Sequence, residues 1–313
     1  MRRRKGLPIH GWINLDKPVG PTSTQSIGRV RRLTGAARIG HAGTLDPLAS
    51  GVLPIALGEA TKTVPYIQDA RKIYRFTVRW GEATATDDGE GAVIAGSDHR
   101  PAASAIDAML ARFTGTIMQT PPAFSAIKIA GERAYDLARA GTIVEMEPRP
   151  IDIHRLSLIE TPDADHAVFD VETGKGTYVR ALARDLAAAL GTYGHLSALR
   201  RTAVGRFTVE TAVALDFSAQ PSDISGLTEH VLPIETALDD IPALALTADE
   251  AQRLRCGQTV GLFTHQHRDW LADLIAEGRE GGVVLALWQG RAVALARIDR
   301  AEAHPVRVFN YEP

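Results

Sequence analysis

The sequence has little cysteine, few aromatic residues and no long apolar run. Its single cysteine, Cys256, excludes an internal disulfide and a cysteine-ligated zinc cluster. No apolar stretch reaches the roughly 20 residues that a membrane-spanning helix needs, and the basic start lacks the apolar segment of a signal peptide. The 10 histidines show no spacing typical of metal ligands. We therefore expect a cytoplasmic protein without a metal or another cofactor, built as one large or two modest domains.

The near-neutral net charge of −2 hides a strong asymmetry along the chain. Residues 1–80 carry 14 Lys/Arg and 4 Asp/Glu, a balance of +10, whereas the remainder carries 21 and 33, a balance of −12. Residues 207–252 contain nine acidic residues and no lysine or arginine. A basic face in the first part of the chain would suffice for binding a nucleic acid. Charge alone fits an ordinary solvated surface equally well.

A loop rich in glycine surrounds one aspartate, Asp46. Gly40 and Gly43 permit positive φ or close approach of another backbone, and Pro47 fixes φ just after the acid. The apolar run 52–57 that follows is typical of a buried strand. Asp46 is therefore predicted to lie on a shaped loop held against the core, where a reactive group can be positioned. The alternative is that Asp46 only caps a turn.

Residues 73–80 alternate strictly between apolar and polar side chains, which predicts a half-buried strand. Tyr74 lies on the apolar face of this pattern, together with Phe76, and Arg75 lies on the other face. A tyrosine in this position is most often part of the core. An aromatic face can also stack on a nucleobase that has left its helix.

Two further segments combine a strand, a turn and a helix that carries arginines. Residues 9–15 predict a strand, residues 16–21 a rigid loop, and residues 22–34 a helix with Arg29 and neighbouring arginines facing outward, able to grip phosphates. A later helix begins after Thr177, with Arg180 in its first turn and off its apolar face. The glycines before that helix lack the spacing of a nucleotide-binding P-loop, so we exclude nucleoside triphosphate binding.

Several stretches together resemble the TruB family, the bacterial tRNA pseudouridine synthases. Positions 40–51 match the family pattern Gly-His-x-Gly-Thr-Leu-Asp-Pro-x-Ala-x-Gly throughout. Further resemblances lie at 14–23, at Lys72-x-Tyr74, at 81–91, at 119–141, at 176–180 and at 199–207. One departure is Thr173-Gly174, where the family usually has Cys-Ser.

The resemblance implies a role for each matching residue. Asp46 would be the catalytic aspartate, Arg180 its ion-pair partner, and Tyr74 and Leu199 the residues that pack on the target uracil. The remaining expected substrate-binding residues are Lys17 in the floor of the site, His41 as a wedge in the RNA, Thr44 and Asp88. An acid pair of Asp46 and Asp88, as in glycosidases, is the alternative for the last residue. We favour a turn or network role for Asp88, because no spacing in the sequence fixes the separation of the two acids.

The expected fold class is α+β. Residues 1–240 would form a catalytic domain with a mixed, mostly antiparallel sheet flanked by helices. Prolines among acidic residues at 216–246 predict a linker, and Thr247 with Glu250 predicts a capped helix. The sequence predicts a hairpin of two strands, at 283–288 and 292–298, and a further strand at 306–309. By resemblance, residues 241–313 would be a small C-terminal PUA-like β-barrel domain that binds RNA, and a generic accessory barrel is the alternative.

The resemblance implies a stand-alone isomerase that converts the uridine at position 55, in the T-loop of tRNA, to pseudouridine. The partner would be the T-arm of tRNA, with no membrane, no obligate protein partner and a monomeric state. Three alternatives are a guide-dependent pseudouridine synthase, a non-catalytic RNA-binding or tRNA-folding protein, and a carbohydrate hydrolase. Only a few residues precede the first motif, which favours the stand-alone enzyme over the guide-dependent class. A hydrolase would leave the basic N-terminal part unexplained.

Overall fold

The computed structural model describes residues 6–125, 127–129, 132–133, 146–217, 226–279 and 281–311. In this part of the chain the α-helices are α1 (Ser23–Thr34), α2 (Val64–Asp69), α3 (Ala103–Leu110), α4 (Val179–Ala189), α5 (Ala248–Arg255) and α6 (His265–Ala276). The motif residues Gly131, Tyr135 to Gly141 and Pro221 lie outside the described residues.

The strands fall into two large and two small sheets. Those before residue 150 are β1 (Gly11–Lys17), β2 (Ile39–His41), β3 (Ala49–Leu57), β4 (Lys72–Trp80), β5 (Glu82–Thr84), β6 (Val93–Gly96), β7 (Gly115–Gln119), β8 (Lys128–Ile129), β9 (Glu132–Arg133) and β10 (Arg149–Asp163). The later ones are β11 (His166–Thr173), β12 (Gly194–Val204), β13 (Phe207–Thr208), β14 (Val213–Ala214), β15 (Ala243–Ala245), β16 (Val260–Gly261), β17 (Val283–Trp288), β18 (Arg291–Asp299) and β19 (Glu302–Val308).

The large sheet has the strand order β14-β1-β3-β12-β4-β11-β10-β7, with β13 on β12 and β2 on β3. Only the pairs β1–β14 and β3–β12 run parallel among its described strands. The expected mixed, mostly antiparallel sheet is therefore confirmed. The parallel pair β3–β12 brings the strand that follows the Asp46 loop beside the strand that carries Leu199, which places these distant segments side by side.

The alternation of β4 is confirmed. Tyr74, Phe76, Val78 and Trp80 are buried, whereas Arg75 and Arg79 are exposed. Phe76 stacks on Phe169 of the neighbouring β11, with ring centroids 5.1 Å apart. Because side chains alternate between the two faces of a strand, the buried phase includes position 72, and Lys72 is buried as well.

The first helix begins as expected, but two details of the N-terminal segment differ. Thr22 accepts from Gln25 N in a capping box, which fixes the start of α1. Arg29, predicted to face outward, is buried and its Nη2 donates to Asp216 O at 3.3 Å. Strand β1 also continues to Lys17, beyond the predicted end of the strand, because it pairs along its whole length with β3.

The C-terminal residues form a second, curled sheet with the order β15-β17-β18-β19-β16. The predicted hairpin is present, and Gln289 and Gly290 adopt positive φ angles of 50° and 75° at its turn. The helix after Thr247 is also present. Sequence reasoning missed a second helix, α6, which packs on this sheet through Leu271 and Leu274.

The segment expected to be a linker is packed against both sheets where it is described. Ile234 and Leu238 belong to a buried cluster that also contains Trp12 from the large sheet and Leu295 from the C-terminal sheet. The prediction of a linker from these prolines is therefore wrong for residues 226–246, because they contribute to a hydrophobic core. In the part of the chain that the structure describes, no helix is long and apolar enough to cross a membrane.

Candidate active site

The loop between β2 and β3 carries Asp46 and is fixed at its backbone. The Ser23 hydroxyl donates to Leu45 O at 2.9 Å and accepts from Leu45 N at 2.8 Å. Gly20 N donates to Pro47 O at 2.8 Å on the other side of Asp46. These bonds hold both neighbours of Asp46, so its carboxylate has a rigid support.

The two glycines of this loop have different roles. Gly43 adopts a φ of +94°, where a side chain would be strained, and its carbonyl accepts a hydrogen bond from Arg201 Nη2 at 3.0 Å. Gly40 lies in β2 without a positive φ. Of these two glycines, only Gly43 therefore uses the expected freedom of the backbone.

Arg180 joins Asp46 to two other segments. Its Nε lies 3.0 Å from Oδ2 of Asp46, and its Nη1 lies 3.5 Å from Oδ2 of Asp88. Nη1 also donates to Thr86 O at 3.1 Å, and Nη2 donates to Phe124 O at 3.0 Å. The Arg180 side chain is 8% exposed and that of Asp46 36% exposed. The expected ion pair is present, and the carboxylate of Asp46 stays accessible.

Strands β4 and β12 form a floor beside this pair. In their register Tyr74 faces Arg201 and Phe76 faces Leu199. Residues directly opposite each other in an antiparallel pair lie on the same face. Tyr74 and Leu199 are both 9% exposed. An aromatic ring and an aliphatic side chain are thus available as an apolar surface next to the carboxylate.

A cavity of about 480 Å³ opens above this floor. Its volume falls within the roughly 300–1,000 Å³ of typical ligand sites. Five of the eight residues expected in the site line it, namely Thr44, Asp46, Tyr74, Arg180 and Leu199. Residues from the loop, both floor strands and the start of α4 therefore converge on one space.

The other three expected residues do not line the cavity. Asp88 is buried behind Arg180, where its Oδ1 accepts from Glu90 N at 3.1 Å. Lys17 is fully buried, and its Nζ donates to Pro18 O and Pro21 O, both at 2.8 Å. His41 lies in β2. For Asp88 and Lys17, the geometry fits support of the site better than direct contact with a substrate.

Burial governs the titration of the basic groups around the site. It lowers the pKa of Lys17 to about 8, against the attraction of Asp46 and together with the charge of Arg201. Burial also lowers the pKa of His41, assisted by Arg201. Burial thus disfavours the charged form of the His41 ring, which suits an imidazole that would stack rather than pair with phosphate.

Comparison with known proteins agrees with this arrangement. The family model described as TruB family pseudouridylate synthase (N terminal domain) matches residues 31–179. The model described as tRNA pseudouridylate synthase B C-terminal domain matches residues 180–239. A Rhodospirillum rubrum protein named tRNA pseudouridine synthase B is 55% identical, with 99% of each chain covered. This chain belongs to the TruB family.

Other comparisons extend this result. A Bradyrhizobium diazoefficiens protein, also named tRNA pseudouridine synthase B, is 54% identical over 98% of this chain and 88% of its own length. An H/ACA RNP structure bound to a substrate RNA containing 2′-deoxyuridine has a matching chain with a TM-score of 0.70 and 21% identity, covering 99% of this chain and 92% of that one. A chain of a Cbf5-Nop10-Gar1 complex matches with a TM-score of 0.69 and 23% identity. The match covers 99% of this chain and 91% of that one. At these identities the two structures show a shared fold alone.

Two buried cationic residues of this TruB site were missed from the sequence, Lys72 and Arg201. Both line the cavity. Lysine and arginine are normally read as exposed, yet each lies two residues from a buried neighbour on its strand, Lys72 from Tyr74 and Arg201 from Leu199. The two-residue period of a strand was the available signal.

A second arginine on α4 supports the same loops. Arg184, one turn after Arg180, has its Nη1 2.8 Å from Oδ2 of Asp87 and donates from Nη2 to Thr120 O at 2.8 Å. Asp87 has a positive φ of 60°. Both arginines therefore tie the turn near residue 87 to the segment 120–124. Among the described residues of this TruB chain, no group of His, Cys, Asp and Glu could hold a metal ion.

Proposed function

We propose that this protein isomerises the uridine at position 55, in the T-loop of tRNA, to pseudouridine. The observation that carries the proposal is the Arg180–Asp46 ion pair on the wall of a cavity that Tyr74 also lines. The relatives named tRNA pseudouridine synthase B support both the reaction and the tRNA substrate.

The reaction breaks the bond from ribose C1′ to N1 of uracil and forms a bond from C1′ to C5. The C5 proton is lost and N1 gains a proton, so atoms and charge balance without an oxidant or an energy source. The difficult species is the electron-poor sugar that remains when uracil departs. A fixed carboxylate beside it can stabilise that sugar or bond to it, as in retaining glycosidases. Asp46 takes this role.

Arg180 acts by holding Asp46 in place. A planar guanidinium with several donors fixes a carboxylate in direction as well as in position. Its further bonds to Thr86 O and Phe124 O fix the guanidinium itself. Asp88 and Lys17 are buried outside the lining of the cavity and support this arrangement from there. Thr44 contributes an exposed polar side chain to the cavity.

The target base must leave its stack before it reaches Asp46. Tyr74 then stacks on the extruded uracil, and Leu199 closes the apolar side of the cavity. His41 fills the space that the extruded base leaves in the RNA, since a neutral imidazole ring can stack between bases.

The C-terminal residues 241–313 act as a PUA-like RNA-binding domain, joined to a catalytic domain of residues 1–240. Their sheet is docked on the catalytic part through Glu59, which accepts from Asn310 N at 2.7 Å, and through Lys62, whose Nζ donates to Val308 O at 2.6 Å. A fixed second domain would let one rigid monomer contact the T-arm and a neighbouring part of the tRNA.

The test is incubation of the purified protein with unmodified tRNA, followed by mapping of pseudouridine at single-nucleotide resolution. We expect one new pseudouridine, at position 55, without added guide RNA or protein. A tRNA with cytidine at that position serves as the control and should remain unmodified. Product at another uridine would contradict the assigned position, and a requirement for guide RNA would favour the guide-dependent class.

A further inference from the structure

Arg201 is a buried cation without an acidic partner in the described part of the chain. The residue is 2% exposed. Its Nε donates to Val52 O at 2.7 Å and its Nη2 to Gly43 O at 3.0 Å. No carboxylate oxygen of the described residues lies within 4.0 Å of its guanidinium, whose charge backbone carbonyls solvate only in part.

Lys72 is a second cation of this kind. It is 7% exposed, and its Nζ donates to Gln68 O at 2.5 Å and to Ala70 O at 2.6 Å. An ammonium group has three donors, so one remains for a further acceptor. Within the described residues, Lys72 too has no carboxylate within salt-bridge distance.

The two cations lie on the same patch of the floor. Arg201 faces Tyr74 across the β4–β12 pair, and Lys72 precedes Tyr74 by two residues on the same face of β4. Both residues line the cavity that contains Asp46. They therefore border Tyr74, and with it the position proposed for the base.

The nearby acids do not neutralise this pair. Asp46 and Asp88 are both committed to Arg180. Burial together with the charge of Arg201 lowers the pKa of Lys72 to about 8. Asp69 raises this pKa but is itself paired with Lys175. A buried charge without a partner is strongly unfavourable, and a bound anion would relieve that penalty for both groups at once.

We propose that Arg201 and Lys72 form a subsite for a phosphodiester group next to the extruded nucleotide of the RNA substrate. The inference rests on the proposed function, since it assigns the backbone charge of that same substrate to a place in the cavity. A phosphodiester carries a full negative charge and offers two acceptor oxygens, which a guanidinium and an ammonium bind well. The neutral carbonyl groups of uracil would leave the two cations uncompensated.

The test replaces single phosphates in a T-arm stem-loop RNA by methylphosphonate, which removes the charge and keeps the tetrahedral shape. One RNA carries the change on the 5′ side of the target uridine and another on its 3′ side. Dissociation constants are measured for the wild-type protein and for Lys72→Met. Arg201 is left unchanged, because its bonds to Gly43 and Val52 also hold the catalytic loop.

For the wild-type protein we expect one of the two substitutions to weaken binding roughly tenfold or more, as for loss of a charge-assisted hydrogen bond. In the Lys72→Met protein the same methylphosphonate should weaken binding clearly less. The reason is that the protein change and the RNA change remove one shared interaction. Arg75→Gln is the matched control. Arg75 lies one residue from Tyr74 on the opposite face, paired with Asp170, and its replacement should leave the full effect of the methylphosphonate.

Two results would overturn the subsite. The first is that neither methylphosphonate weakens binding to the wild-type protein. The second is that a methylphosphonate weakens binding to Lys72→Met as much as it weakens binding to the wild type. Conversion of the unmodified stem-loop to pseudouridine is followed in parallel. Normal conversion without the coupling would reject only the subsite, whereas binding without conversion would reject the proposed function.

Discussion

Replacing Arg180 by lysine tests whether the shape of the guanidinium, rather than its charge, positions Asp46. Three nitrogens of Arg180 reach three different segments, through Asp46, Thr86 O and Phe124 O. A lysine places a single nitrogen at the end of a flexible four-carbon stem and cannot reach all three. We therefore expect Arg180→Lys to fold and to bind RNA, yet to turn over slowly.

The structure sets the size of the effect. At least one of the two bonds to the carbonyls of Thr86 and Phe124 is lost, and a hydrogen bond from a charged donor contributes about 1.5–3 kcal/mol. A loss of about 3 kcal/mol in positioning corresponds to a rate roughly 100-fold lower. Because Arg180 is 8% exposed, little of this loss is offset by solvent.

The assay is release of tritium from tRNA labelled at C5 of uridine, measured under single-turnover conditions. The rate of Arg180→Lys should fall far more than its affinity for tRNA. Arg75→Lys, an exposed arginine with a bidentate contact to Asp170, is the control and should keep the wild-type rate. A wild-type rate for Arg180→Lys would refute the positioning role.

Two further predictions concern stability. Burial places the pKa of Lys17 and of Lys72 at about 8, below the ordinary 10.5, so between these values the unfolded chain binds more protons. The free energy of unfolding, measured by urea denaturation, should therefore rise from about pH 8 toward pH 10. It should rise less in Lys72→Met. The same pH dependence in Lys72→Met and the wild type would contradict the lowered pKa of Lys72. Gly51 has a φ of +101°, and an added Cβ would lie 2.1 Å from Arg201 O. Gly51→Ala should cost about 3 kcal/mol or more, whereas Gly257→Ala, with a φ of +76° and open space, should cost about 1–2 kcal/mol; equal losses in thermal denaturation would argue against the clash.

The sequence predicted best what depends on local patterns. The alternation of β4 places Tyr74 on the buried face, and the capping box at Thr22 starts α1 where expected. The predicted pairing of Arg180 with Asp46 is also present. The family resemblance supplied that pairing, because no local pattern connects residues 134 positions apart.

The sequence failed where tertiary contacts override a residue's usual preference. Arg29 was expected to face solvent, but it is buried and donates a hydrogen bond to the carbonyl of Asp216. Lys72 and Arg201 lie in the buried phase of their strands, and backbone carbonyls that accept from them make the burial of these charges possible. The strand period indicated the phase, but those acceptors are not visible in the sequence. The prolines at 216–246 suggested a linker, yet Ile234 belongs to a buried cluster. The register of β4 on β12, which assembles the floor, is likewise absent from the sequence of either strand.

The single change Asp46→Ala tests the catalytic role of this carboxylate. The side chain is 36% exposed and its neighbours hold the loop through their backbone, so the fold should survive. With unmodified tRNA, the wild-type protein should produce pseudouridine at position 55, and Asp46→Ala should produce none while its dissociation constant for tRNA changes little. Pseudouridine formed by Asp46→Ala at the wild-type rate would show that Asp46 is not the catalytic residue.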